Sequence, residues 1–365
     1  MPKNTLLPFN ILHMDSLGQG VSKMGPKVTF VPKTLPGEEG EATVSAERKG
    51  VVFARLESVS KVSKERIKPE CMHFDQCPSC HYLHTNYENE LAFKRLSLEK
   101  LFQRIPHPDI ELIQAPRRLG YRNRVQLHYD VKKQMIGMLD VGANRITPIP
   151  QCLIGETAIK QEMTRLYENQ NWMREALAQV PQGHVEIYLR DGVVQKTWNK
   201  PYAEGGFTQV FEEMNQVLKA RLKSWFGSEK SDLLDLFAGN GNLSEELNYS
   251  RRLCVDLYQK VPGEDFISQH LYAEEALSAV KKMAATNGLK DPHILLDPPR
   301  SGMKNLNDWV NAFKPKKLAY VSCDPHTLVR DIQPLENYRI EHLLLLDFFP
   351  STFHFETVIF LQRVE

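Results

Sequence analysis

From residue 207 to the end of the chain, short apolar runs alternate with amphipathic ones. DLLDLF, RLCVD, HILLD, KLAYVSC and EHLLLLDFF each close on or near an acidic or small residue. Continuous apolar runs this short, bounded by polar turns, predict strands buried on both faces. FTQVFEEMNQVLKARLKSWF, AEEALSAVKKMAA and HTLVRDIQPL space their apolar residues at helical intervals. Strand–helix alternation of this kind predicts a doubly wound α/β domain, with ligands bound at the carboxyl ends of its strands.

The pattern upstream is different. Through residues 1–65 the runs KVTFVP, EATVSA and GVVFARLESV are separated by Pro- and Gly-containing stretches such as TLPGEEG. Short strands with regular turn signals predict a small β-barrel, for which an OB-type fold is one candidate. NELAFKRLSLEKLFQRI predicts an amphipathic helix. RVQLHYDV and HVEIYLR predict strands around one helix, EMTRLYENQNWMREALAQV. Three domains are expected: a barrel over 1–65, a small α+β domain over 66–205, and the α/β domain over 206–365.

Composition narrows the picture only a little. The 365 residues are 42% hydrophobic and 25% charged, with a net charge of +1. No tract is long enough to cross a bilayer. The stretch MPKNTLLPFNILHMDSLG lacks the basic start and clean apolar core of a secretory signal, so a cytoplasmic protein is expected. Net charge makes no case for nucleic acid. Residues 91–133, however, hold 10 Lys and Arg against 4 Asp and Glu, with Tyr121, His128 and Tyr129 among them. Such a run is either a solvated face or a phosphate-contacting surface with rings on which bases stack.

Three of the six cysteines fall within ten residues, CMHFDQCPSC, as C-x5-C-x2-C. In a cytosolic chain a disulfide framework is not expected. Cys71, Cys77 and Cys80 suit a metal, and Cys152 in ITPIPQCLI is a plausible distant fourth ligand. This is not the paired knuckle of a zinc ribbon. Uneven spacing with one remote thiol favours a [4Fe–4S] cluster over zinc, though spacing alone leaves both open. Cys254 reads as strand packing.

In LLDLFAGNGNLS, Gly239 and Gly241 permit a tight turn with close backbone approach to a ligand. The third glycine of a dinucleotide fingerprint is missing. Asp256, closing the next strand, suits ribose hydroxyls. Together these favour an adenosine-type ligand without phosphates, and S-adenosylmethionine fits best. In LLDPPRSG the two prolines make a rigid, donor-poor wall beside Asp297.

Cys323, in YVSCDPHTLVRD, and Glu356, in FPSTFHFETVIFLQR, bring in a specific chemistry. Carbon 5 of uracil is too weak a nucleophile to attack a methyl sulfonium. A thiolate that adds at carbon 6 creates an enolate, and a base must later remove the C5 proton so that the thiolate can leave. One strand ends on Cys323 and the last begins at Glu356, so both can face one cleft.

VTFVPKTLPGEEGEA, the four cysteines, FTQV, LDLFAGNGN, LDPPRSG, VSCDPHTLVRD and DFFPSTFHFE together resemble the RNA 5-methyluridine methyltransferase family. The similar branch carries an N-terminal TRAM barrel and a [4Fe–4S] cluster and acts on large-subunit ribosomal RNA. The resemblance implies Cys323 as nucleophile and Glu356 as general base. It implies Gln209 and Asp297 against the uracil, the cofactor or both, and Phe237, Asn242 and Asp256 lining the S-adenosylmethionine pocket. Cys71, Cys77, Cys80 and Cys152 would hold the cluster, far from the methyltransferase motifs. A monomer acting on a flipped-out uridine in a single strand or loop is the expected form. Two departures stand out: Phe211 replaces the family's usual Asn, and Asp256 and Asp297 are only 41 positions apart, with no match for the family's adenine-side acidic motif between them. A transfer-RNA enzyme, or a ribosome-assembly or RNA-binding factor without turnover, is the alternative. A 5-methylcytosine enzyme fits less well, since Pro298-Pro299 stands where a Pro-Cys nucleophile is expected.

Overall fold

The computed structural model describes residues 4–23, 27–140, 144–177, 180–201, 209–228, 230–257 and 265–364. The chain divides into two compact units. The first comprises Met1–Ser97, Arg117–Tyr202 and Phe349–His354; the second comprises Leu98–Pro116, Ala203–Phe348 and Phe355–Glu365.

The first unit opens with β1 (Leu6–Met14), β2 (Gln19–Ser22), β3 (Thr29–Pro32), β4 (Glu39–Arg48) and β5 (Val51–Lys61). They close into a barrel in the order β1-β2-β3-β5-β4 around Phe9, Ile11, Val31, Ala42 and Ala54. The barrel expected from the N-terminal pattern is therefore present. After the cysteine-bearing loop come α1 (Tyr87–Phe102), which runs into the second unit, and β6 (Ile110–Ile113), which belongs to it. The first unit resumes with β7 (Arg124–Asp130), β8 (Met135–Asp140), β9 (Arg145–Thr147), α2 (Thr157–Tyr167), α3 (Asn171–Leu177), β10 (Gln182–Arg190) and β11 (Val193–Trp198). The five strands form one antiparallel sheet, β11-β10-β7-β8-β9.

The single helix expected over 162–180 is two. It begins earlier, at Thr157, and breaks through a 3-10 turn over Glu168–Gln170. Gln170 adopts a left-handed φ of 54° there. Tyr167, the last residue of α2, is occupied elsewhere: its hydroxyl donates to Ile136 O and accepts from Ile149 N. The polar run ENQN then offers no apolar face to carry the helix on.

The second unit continues with α4 (Glu212–Phe226), β12 (Ser231–Leu236), β13 (Tyr249–Asp256), β14 (Phe266–Ser268), α5 (Ala276–Thr286), β15 (His293–Leu296), α6 (Leu306–Phe313), β16 (Lys317–Ser322), α7 (Pro325–Ile332), β17 (Tyr338–Leu346) and β18 (Glu356–Arg363). One eight-stranded sheet runs β14-β13-β12-β15-β16-β18-β17-β6. All neighbours are parallel except β18, which is antiparallel to both β16 and β17. Its central strands are largely apolar and buried, with Asp235 of β12 buried among them. Leu234, Leu236, Leu253, Val255, Ile294, Leu296, Leu318 and Tyr320 are all buried in one core with Trp309 and Leu328 from α6 and α7. Each such side chain contributes roughly 1.5–3 kcal/mol of burial.

The short interval between Asp256 and Asp297 is accommodated at the sheet's edge. Only nine residues, 257–265, join β13 to β14, fewer than the dozen or so of an ordinary parallel crossover. The strand they lead to has three residues. Phe207 and Thr208, at the start of the expected helix FTQVFEEM, lie outside the described residues; α4 itself begins at Glu212.

Candidate active site

The functional side chains of the second unit gather at one end of the sheet. The turn after β12 is forced by three left-handed residues, Phe237 (φ 59°), Gly239 (φ 56°) and Gly241 (φ 80°). A Cβ on Gly241 would press on the Phe266 ring at 3.2 Å and the Arg252 guanidinium at 3.3 Å, so that position excludes larger residues. Asp256, closing β13, accepts from Gly239 N–H at 2.9 Å, and the same carboxylate thereby shapes the turn it flanks. Phe237 packs against Tyr272 with ring centroids 5.5 Å apart. Asn242 is locked by reciprocal amide bonds of 3.0 and 3.1 Å to Asn215 on α4. Gln209 is buried just ahead of α4. Phe211 is fully buried at the N-cap position of α4, where it supplies no side-chain cap. Its ring is part of the core.

The wall opposite is built by β15, β16 and β18. Asp297 follows β15, and its N–H donates to Leu236 O at 3.3 Å, which keeps it alongside the β12 turn. Cys323 follows Ser322, the residue paired with Thr357 across the antiparallel β16–β18 ladder. Sheet register therefore sets Cys323 opposite Glu356. The turn that follows the thiol has a local cause. Ser322 Oγ bonds both the N–H and the C=O of Asp324, at 3.1 and 2.9 Å. Asp324 caps α7 by accepting from His326 N–H at 3.0 Å, and Pro325 takes the first helical position. The strand ends on a thiol because a helix begins at once behind it.

Charge is crowded here. Glu356 is 5% exposed, and among the described residues its Oε2 has no hydrogen-bond partner. Burial, and then Asp297, push its carboxyl well above the usual range; Arg300 opposes them. Burial and Asp235 raise Asp297 as well. Burial, then Glu356 and Asp297, push the Cys323 thiol up to about 12, again against Arg300. Like charges so close cannot all be ionised together. Glu356 is thus a proton acceptor of raised affinity beside a thiol whose ionisation needs help. Arg300, directly after the two prolines, is the cation that serves both. Sequence reading missed it and also Asn215, although Arg300's place beside Asp-Pro-Pro was a usable signal.

Cys71, Cys77, Cys80 and Cys152 lie in the first unit as free thiols, three of them buried and Cys71 half-buried. Burial raises Cys80, and Cys152, Cys77 and Cys71 raise it further. Cys152 is likewise raised by burial and Cys77, against Arg122. Lys33 donates to Phe74 O and, at 3.0 Å, to Cys77 O, next to the same group. Among the described residues, no three His, Cys, Asp or Glu side chains converge closely enough to hold one ion.

A parallel sheet with one antiparallel strand inserted between two parallel ones, here β18 between β16 and β17, and a Gly-turn and Asp at its carboxyl ends, is the fold of the S-adenosylmethionine-dependent methyltransferases. The comparisons sharpen this. Residues 265–364 match the family model described as tRNA (Uracil-5-)-methyltransferase. The chain is 26% identical to the 23S rRNA (uracil(1939)-C(5))-methyltransferase RlmD of Shewanella woodyi, over 96% of this chain and 94% of that one. It is also 26% identical to the protein of the same name from Vibrio vulnificus, with 99% of each chain covered. A crystal structure of the Pyrococcus abyssi tRNA (uracil-54, C5)-methyltransferase in complex with S-adenosyl-L-homocysteine superposes with a TM-score of 0.67 at 19% identity, over 97% of this chain and 100% of that one. Over nearly its whole length the chain is thus similar to RNA uracil-C5 methyltransferases.

Proposed function

We propose that the protein transfers a methyl group from S-adenosylmethionine to carbon 5 of a uridine in large-subunit ribosomal RNA, through a covalent bond between Cys323 and carbon 6. The observation that carries this reading is a thiol one residue beyond the Ser322–Thr357 pair of the β16–β18 ladder, next to a buried carboxyl whose Oε2 has no hydrogen-bond partner among the described residues. The two relatives named as 23S rRNA enzymes support the substrate class. Phe237, Asn242 and Asp256 would hold S-adenosylmethionine, which would supply an electrophilic methyl group.

The chain's own residues do the rest. The Cys323 thiolate, favoured by Arg300, forms a bond to carbon 6, and the C5=C6 electron pair moves toward carbon 5 and O4. Carbon 5 takes the methyl group as the methyl–sulfonium bond breaks, with S-adenosylhomocysteine as the leaving group. Glu356 Oε2 then accepts the C5 proton; the freed pair re-forms C5=C6 and expels the Cys323 sulfur. A carboxylate of raised pKa is the better acceptor for that proton. Asp297 and Gln209 hold the uracil edge or the cofactor. The nucleotide enters the site flipped out of its stack, since its ring must meet a thiol at the floor of a crevice.

Nucleoside mass spectrometry tests this directly. Expressed in a host lacking its own large-subunit 5-methyluridine enzymes, the protein should restore 5-methyluridine to that RNA. Its appearance in transfer RNA instead would transfer the proposal to the alternative substrate, and its appearance in neither would end the catalytic reading.

We also propose that Cys71, Cys77, Cys80 and Cys152 hold a [4Fe–4S] cluster with a structural role. Zinc binds thiolate at about 2.3 Å and would draw its sulfurs onto one point. The uneven C-x5-C-x2-C run with the remote Cys152 supports the cluster reading, and Lys33 and Arg122 would offset the cluster's negative charge. Replacing Cys77 and Cys80 by Ser should bleach the visible absorbance of protein purified without oxygen. A colourless wild-type protein containing zinc would overturn the assignment.

A further inference from the structure

The strand order β14-β13-β12-β15 reverses at β12: the chain steps outward through β13 and β14, then returns to lay β15 on the other side of β12. In an open parallel sheet, ligands bind in the crevice outside the carboxyl ends of the strands at that reversal. Tyr272 reaches across it. The residue follows β14, yet its ring packs against Phe237, which follows β12, with centroids 5.5 Å apart and planes at 46°. Its hydroxyl donates to Gly302 O at 2.9 Å and lies 2.9 Å from Ser301 Oγ, both in the loop after β15.

The segment that carries this ring starts beside the expected ribose contact. Asp256 pairs with Ser268 across the β13–β14 ladder, and Gln269 N–H donates to Asp256 O at 2.9 Å. Leu271 is then buried in the core, and His270 meets the Tyr272 ring edge-on at 5.7 Å. The loop to which the hydroxyl is tied is fixed in turn. Arg330 donates to Ser301 O at 2.8 Å, and Gly302, at a left-handed φ of 68°, leaves no room for a Cβ beside Asp331 and Arg330. Tyr272 is nevertheless 43% exposed. Bracing the loop needs only the hydroxyl. A ring anchored at its tip and left open to solvent is a prepared platform for a planar ligand. Leu257, directly after Asp256, is exposed as well, so the strand end that would hold the ribose also carries uncovered apolar surface.

We infer that Tyr272 is the adenine contact of the S-adenosylmethionine site, with the purine stacked on its exposed ring. It takes the place of the acidic adenine-side motif, for which the interval between Asp256 and Asp297 has no match. The inference rests on reading the crevice as an S-adenosylmethionine site.

Titration calorimetry of the full-length protein with S-adenosylhomocysteine tests it without turnover. Tyr272→Ala should weaken binding about 10- to 100-fold, as loss of a stacked base does, while affinity for large-subunit ribosomal RNA, measured by filter binding, is unchanged. Tyr272→Phe keeps the ring and removes one hydroxyl, and should bind within about threefold of wild type. Wild-type affinity in Tyr272→Ala overturns the inference. So does an equal loss in both variants, which would leave only the hydroxyl's hold on the loop. A loss of RNA affinity with S-adenosylhomocysteine binding intact overturns it too, and would assign the ring to a base of the RNA. A second measurement needs no variant to fold: irradiated with the wild-type protein, 8-azido-S-adenosylmethionine should label the tryptic peptide 261–281, and excess S-adenosylhomocysteine should prevent it. Labelling confined to other peptides overturns the inference. If the wild-type protein binds no S-adenosylhomocysteine, the cofactor reading falls and this inference with it. If it binds and Tyr272→Ala binds as tightly, the inference alone falls.

Discussion

Cys323→Ala is expected to abolish methylation, lowering turnover by about four orders of magnitude or more, as removal of a covalent nucleophile does. RNA affinity should stay within about twofold. The side chain is small and half-buried, and the turn behind it is built by Ser322, Asp324 and Pro325 rather than by the thiol. The alanine variant should therefore fold and bind normally. Transfer of a tritiated methyl group to ribosomal RNA measures the first quantity and filter binding the second. Turnover above about 1% of wild type would remove the thiol from the mechanism.

Glu356→Gln should fail at the opposite end of the reaction. Thiol addition and methyl transfer proceed, but the C5 proton has no acceptor, so a protein–RNA species stable on a denaturing gel accumulates and carries one methyl group. Steady-state turnover should fall by about 10²–10⁴, the usual range for a lost general base. The sign of the electrostatic effect supports trapping. Glu356 is among the groups that raise the Cys323 thiol, and a neutral amide in its place cannot do so, so the attacking thiolate is not disfavoured. Addition should be no slower than in wild type while release stops. A variant that neither methylates nor forms the adduct would unseat Glu356 as the base.

Much of this was legible before any coordinates, because the informative residues are local. LDLFAGNGN, LDPPRSG and VSCDPHTLVRD each contain a strand end, a turn and the candidate side chain placed there within about a dozen positions, and turn chemistry is written in neighbouring residues. What could not be read depended on distant partners. IELI at 110–113 is too short to be distinctive, and it becomes the sheet's edge strand only by pairing with Leu343–Leu346. Asn215 looks like any helix residue until Asn242 faces it. The break after Tyr167 follows from hydroxyl bonds to Ile136 and Ile149, which no helical periodicity could reveal. Phe211 differs from the family's usual Asn, and the structure assigns it to the core.

The pairing of β16 with β18 has a consequence for how such a protein can vary in length. Cys323 and Glu356 stand across from one another because a ladder of main-chain hydrogen bonds sets them there, independently of the connections elsewhere in the sheet. The abbreviated link between β13 and β14 lies on the far side of β12 and β15 from that pair. Insertions and deletions at that edge can accumulate without moving nucleophile relative to base, whereas a single residue gained or lost within β16 or β18 would turn one of them to the wrong face. The sheet thus separates the strands that set the distance between nucleophile and base from the edge at which chain length is free to change, provided that Asp256 and the Gly239 turn it holds are kept.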